Sequence, residues 1–218
     1  MGKLDFRKEG SFYSLREEIA NAVTHGLGSV FAIAGGAVLI VFAAFSHDAW
    51  KVVSSSIYVF SLLLLFTMST LYHAFTGEKL KGFFRKLDHT SIFYLIAGTY
   101  TPFTLVLLRG ALGWSLFAAV WITAIIGTVL NLINVDKFEK ISLIGYIASG
   151  WFIVLAIIPL AKALNVPGTI FLVLGGLMYM VGIIFYKKKH IKYMHSVWHL
   201  FVLAGAVLHY FCVLLYVV

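Results

Sequence analysis

Charge is what this sequence has least of. Asp, Glu, Lys and Arg make up 12% of its 218 residues, about half of the roughly 25% found in soluble domains. Hydrophobic residues reach 61% and the mean hydropathy is +0.95. With so few charges, no water-soluble fold of this length could cover its own apolar surface. Cysteine is almost missing too. Cys212 stands alone inside the last apolar run, so it forms no intrachain disulfide and says nothing of redox compartment. A cleavable signal peptide is not evident: the first eighteen residues mix both charge signs, and the small-residue pattern Ala32-Ile33-Ala34 falls inside the first apolar run. Alternation of polar and apolar residues is lacking, which excludes a β-barrel and leaves helices for the long continuous runs.

The charge that is present is mostly basic. A net charge of +8 and a pI near 9.5 would suit a nucleic-acid binder. The cations sit in short segments between apolar runs, however, and not on one face of a folded domain, so no nucleic-acid partner is expected.

A membrane-crossing helix needs about 20 apolar residues. Seven runs qualify: 22–46, 52–75, 87–108, 112–133, 141–163, 167–186 and 194–217. The expectation is an all-α membrane protein, a seven-helix bundle occupying 22–218, preceded by a cytoplasmic segment 1–21 with a short amphipathic helix. Ser14-x-x-Glu17 marks a capping box at the start of that helix. Gly35-Gly36 and Gly175-Gly176 read as points of close helix approach. Pro102 and Pro159 should kink their helices.

Lysine and arginine orient the bundle. Fourteen of the seventeen fall in the N-terminal segment and in the second, fourth and sixth connections, whereas only Lys51, Arg109 and Lys162 fall on the other side. The positive-inside rule then puts the N-terminus in the cytoplasm and the C-terminus outside; the expected location is the plasma membrane, as a multi-pass chain.

Ionisable side chains inside spans are costly and each needs a reason. Span two ends Ser69-Thr70-Leu71-Tyr72-His73, span three begins Leu87-Asp88-His89, and span seven begins His195-Ser196-Val197-Trp198-His199. The alternating topology places His73, Asp88, His195 and His199 at one depth, in the inner leaflet. Residues four apart share a helix face, so His195 and His199 can hold one ion together. With His73 they would form a three-histidine site with an open fourth position, the arrangement of catalytic zinc. Asp88 would take or hold the proton of water there, and Ser69 shares the face of His73. Blander readings stay open: interfacial imidazoles reaching headgroups, Asp88 paired with Arg85 or Lys86 or favoured by the helix dipole, and Ser69 bonded back to its own helix. Asn21 and His25 are candidates for orienting a ligand. His89 points about 100° away from Asp88, and His209, about 15 Å beyond His199, reads as a structural histidine.

These motifs carry a resemblance over nearly the whole chain. Asn21-Ala22-Val23-Thr24-His25-Gly26, Ser69-x3-His73, Leu87-Asp88-His89 with Ala97-Gly98-Thr99-Tyr100-Thr101-Pro102, and His195-x3-His199 resemble the bacterial hemolysin III proteins, a branch of the progestin and adipoQ receptor superfamily. The resemblance implies zinc on His73, His195 and His199, with Asp88 contacting zinc-bound water. Through the alkaline ceramidases and other membrane hydrolases of the wider superfamily it implies a lipid amide or ester substrate. The long N-terminal domain of the receptors has no counterpart here, which speaks against a hormone-receptor role. The expected function is a zinc-dependent lipid hydrolase at the inner leaflet, with catalytic Asp88 and Ser69. The alternative is a sensor or a bilayer-perturbing, hemolysin-like protein with structural zinc.

Overall fold

The computed structural model describes residues 13–188 and 190–218, and every regular element among them is helical. Lys3, Arg7, Lys8 and Lys189, four of the cations counted above, lie outside the described residues. The elements are α1 (Leu15–Phe45), α2 (Ala49–Ala74), α3 (Glu78–Pro102), a π-helical stretch (Phe103–Leu108), α4 (Gly110–Trp151), a 3₁₀ turn (Phe152–Ala156), α5 (Ile157–Lys187) and α6 (Met194–Tyr216).

α1 and α2 start where side chains replace missing partners. The Glu17 carboxylate accepts from the Ser14 N–H at 3.0 Å and from its hydroxyl at 2.7 Å, so the capping residues do meet. The expected short helix before span one is simply the first turns of α1. Asp48 caps α2 by accepting from the Trp50 N–H at 2.9 Å. α3 begins nine residues before the expected boundary at 87, because Glu78, Lys79, Lys81, Arg85 and Lys86 are good helix formers and extend it into the connection. Lys81 also donates to the Tyr72 and Phe75 carbonyls, closing the end of α2.

Both interior prolines disturb the helix as their chemistry requires. Pro102 offers no N–H to the Gly98 carbonyl, and the backbone widens into the π stretch that follows. Pro159 offers none to the Leu155 carbonyl and sits in the first turn of α5, just after the 3₁₀ turn that ends at Ala156.

Five helices among the described residues are long and apolar enough to cross a membrane, fewer than the seven spans expected. The difference lies in one run, Gly110–Lys187, of 78 residues. It leaves helical geometry at Asn134, at φ −162° and ψ 100°, and at Asn165, at φ 55° and ψ −174°. Asn134 Oδ1 accepts from the Lys137 N–H at 2.9 Å, the bond of a helix N-cap. Asn tolerates the positive φ at 165, and Pro167 suits the first turn beyond it.

The molecule is apolar outside and polar within. On α1 the residues Asn21, His25, Gly28, Ala32, Gly36, Leu39 and Ala43 are buried in steps of three or four, while Val23, Leu27, Val30 and Ile33 are exposed. That inversion is expected when lipid, not water, is the solvent. α1 packs on α2, α2 on α3, α3 on α4 and α5 on α6, and α6 returns to α1. A Cβ at Gly36 would collide with Val59, and Tyr210 donates its hydroxyl to the Gly35 carbonyl at 2.8 Å. Gly175 is equally crowded, by His209, whereas Gly176 faces open space. The chain is thus an all-helical, multi-pass integral membrane protein.

Candidate metal centre

His73 arrives on the last turn of α2, and His195 and His199 on the first two turns of α6. All three are buried, and one nitrogen from each lies within 4.8 Å of the others. Their ring centroids stand 4.6 to 5.2 Å apart. Nitrogens sharing one tetrahedral zinc lie roughly 3.3 Å apart, so a small side-chain adjustment would close the set. The cluster could hold a metal ion.

Hydrogen bonds fix two of the rings. His73 Nδ1 lies 2.6 Å from Glu18 Oε2, and a carboxylate only accepts, so Nδ1 carries the proton. His199 Nδ1 lies 3.2 Å from the Asn21 carbonyl oxygen and 3.1 Å from Thr24 Oγ1, and the carbonyl likewise requires a proton on Nδ1. Both rings therefore present a bare Nε2. Each of those atoms is buried and has no hydrogen-bond partner among the described residues. A buried lone pair without a donor is costly, and a cation is the partner that fits two or three such lone pairs at once.

α1 supplies the surroundings. Glu18 also pairs with Lys81 Nζ at 3.0 Å. Asn21, fully buried, accepts from Ser196 Oγ at 2.5 Å through its side chain while its carbonyl holds His199. Glu17 Oε1 accepts from the Tyr193 N–H at 3.1 Å, which ties the start of α1 to the left-handed cap of α6, at φ 63°. The His25 ring stacks on His199 at 3.6 Å and 8°. Of the two residues expected to orient ligands, Asn21 contacts α6 by direct bonds to His199 and Ser196, and His25 contacts His199 by stacking.

Asp88 is buried beside the cluster, where His73, Ser69 and Arg85 act on its charge. It stands outside the set of mutually close ligand atoms. Ser69 Oγ is near enough to influence Asp88 but makes no hydrogen bond of good geometry, either to it or back to its own helix. The pairing partners considered for Asp88 are engaged elsewhere: Arg85 forks onto Asp136 at 2.6 and 3.0 Å, and Lys86 donates to the Leu132 carbonyl. His89 is not part of the cluster; its carbonyl accepts from Tyr146.

Glu18, Thr24, Lys81 and Ser196 were not singled out from the sequence. Glu18 had a signal, since it stands three and seven residues before Asn21 and His25 on the same face of α1. Lys81 had none, being one lysine among four cations of a connection.

A cavity of about 360 Å³ adjoins the cluster. His25, Trp198 and Tyr186 wall its end near the cluster, and side chains of α2 to α6 line the rest. α4 and α5 do not pack along each other, and the exposed residues Trp151, Val154, Val173 and Leu177 border the cavity between them.

A buried three-histidine cluster near one end of a polytopic helical bundle defines the class. Residues 13–210 match the haemolysin-III-related family model. The chain is 44% identical to Hemolysin-3 of Bacillus cereus over 203 residues, 93% of each protein. It is also 44% identical to the Hemolysin-3 homolog of Bacillus subtilis over 206 residues, 94% of this chain and 97% of that one. The human monocyte to macrophage differentiation factor is 30% identical over 203 residues, 90% of this chain and 83% of that protein. The chain belongs to the hemolysin III family, within the progestin and adipoQ receptor superfamily.

Proposed function

We propose that His73, His195 and His199 hold zinc and that the protein is a hydrolase of membrane lipid amides or esters, working at the inner leaflet of the plasma membrane. The observation that carries this reading is the pair of bare, buried Nε2 atoms on His73 and His199. When bound, zinc supplies Lewis-acid chemistry, polarising a carbonyl and making water nucleophilic near neutral pH. Asp88 accepts or holds the proton of the attacking water, and the Ser69 hydroxyl donates to water or to the oxygen that gains charge. Glu18 holds His73 in the tautomer that leaves Nε2 to the metal, and Asn21 does the same for His199. The apolar cavity, bordered by exposed residues between α4 and α5, gives a lipid chain a place beside these groups.

The reading includes a topology. A 78-residue run would be about 117 Å long as one helix, against a hydrocarbon core of about 30 Å. We take Asn134 and Asn165 as turns that divide it into three spans, giving seven in all. The cationic connections then face the cytoplasm, the N-terminus is inside and the C-terminus outside, with 22–218 as one transmembrane domain.

The test is metal analysis of the purified protein combined with lipidomics of membranes incubated with it. Zinc at about one per chain together with loss of a lipid amide or ester supports the hydrolase. Zinc without turnover across a broad lipid panel favours the second reading, a sensor or bilayer-perturbing protein with structural zinc. The names of the two Bacillus relatives speak for bilayer perturbation.

A further inference from the structure

The cavity ends on an unspent polar pair far from the histidine cluster. His209 lies ten residues beyond His199 on α6, about 15 Å along the helix axis. It is buried, and its Nε2 stands 3.0 Å from the Leu172 carbonyl oxygen. That oxygen only accepts, so Nε2 carries the proton and Nδ1 is a bare acceptor, buried and without a partner among the described residues. Tyr179 on α5 faces it with ring centroids 5.6 Å apart, and the Tyr179 hydroxyl is likewise buried and without a partner among the described residues. Both residues line the cavity.

The other hydroxyls of the cavity wall are occupied. Thr99 donates to the Leu95 carbonyl, Tyr100 to those of Ser149 and Gly150, Tyr146 to that of His89, and Tyr186 to Glu139. The pair is also built into the α5–α6 seam from both sides. A Cβ at Gly175 would strike the His209 ring, and a Cβ at Gly205 would strike the Tyr179 ring. Each glycine sits four residues before the other ring's partner, so both helices make room for the pair together. Leaving two polar atoms unsatisfied in an apolar chamber is costly.

We infer that Tyr179 and His209 form a second recognition site, which takes a hydroxyl carried on an elongated lipid roughly 15 Å from the group that faces the histidine cluster. A hydroxyl is the simplest group that both donates to Nδ1 and accepts from the tyrosine. A carbonyl could use only the tyrosine, and a bare methylene neither. The site selects among lipids by where they carry oxygen. It rests on the proposed use of the cavity by lipid, and not on turnover.

The test is binding to the zinc-loaded full chain in phosphatidylcholine nanodiscs, read by displacement of a fluorescent fatty acid. Two competitors are compared: a long-chain fatty acid with one hydroxyl at the stated distance from its carboxyl, and its unsubstituted parent. The hydroxylated acid is expected to bind about tenfold more tightly, the value of one net buried hydrogen bond. Moving the hydroxyl a few carbons along the chain should remove that preference without any mutation. Tyr179→Phe, which removes one of the two bonds, should narrow the difference between the two acids, and Tyr179→Phe combined with His209→Leu should abolish it. Equal affinities for the wild-type protein would overturn the inference and assign the pair to water alone. Failure of both acids to displace the tracer would overturn it together with the lipid-filled cavity. Discrimination without any hydrolysis would uphold this site and remove the hydrolase; zinc-dependent hydrolysis without discrimination would do the reverse.

Discussion

Glu18 Oε2 lies 2.6 Å from His73 Nδ1 and joins α1 to the last turn of α2 at the histidine cluster. The same carboxylate pairs with Lys81, so a negative, a positive and an imidazole group are buried together. Such a carboxylate raises the basicity of the ring and fixes its tautomer. Removing one partner leaves the others uncompensated.

Glu18→Ala should therefore weaken zinc binding by about 10- to 100-fold, the usual effect of losing a group that orients a ligand. Glu18→Gln, whose amide oxygen can still accept from Nδ1, should keep more of the affinity than the alanine variant. Competition with a chromogenic chelator on purified, folded protein measures both. Equal affinity in all three proteins would remove Glu18 from the site.

Asp88→Asn separates holding the metal from using it. The variant should keep its zinc and lose about 10²-fold or more of lipid amide or ester hydrolysis. Arg85 and Lys86 already have partners on the other side of a connection, so a variant that loses stability but keeps full activity would return Asp88 to a structural role.

The close approach of α1 and α2 gives a stability prediction. Gly36 meets Val59 with no space for a Cβ, and overpacking a filled contact costs about 1 to 3 kcal/mol. Gly36→Val should lower thermal stability in detergent. Gly176→Ala, which adds its methyl to open space, should leave stability nearly unchanged.

The sequence was most legible where lipid imposes one rule on many residues. Long apolar runs announced membrane helices because backbone polar groups must be satisfied within the helix. The i, i+4 spacing of His195 and His199 announced a shared face, and alternation of basic connections put His73 at the same depth. Contacts made across the bundle were harder to see. Nothing local marks Lys81 as the lysine that turns inward, and Glu17 looked like a cap when it also reaches the Tyr193 N–H. The start of α3 at Glu78 was hidden because charged residues read as loop although they are good helix formers.

The orientation can be tested without reference to the site. A reporter fused after Val218 should behave as extracytoplasmic and one inserted near Lys188 as cytoplasmic. Finding both on one side would dismiss the seven-span division at Asn134 and Asn165.

Zinc content across histidine variants tests the metal site most directly. Purified wild-type protein should carry about one zinc per chain, with X-ray absorption giving nitrogen ligands at about 2.0–2.1 Å. His199→Ala should lose most of it and His209→Ala should not. Full zinc occupancy in a protein with His73, His195 and His199 all replaced by alanine would contradict the assignment.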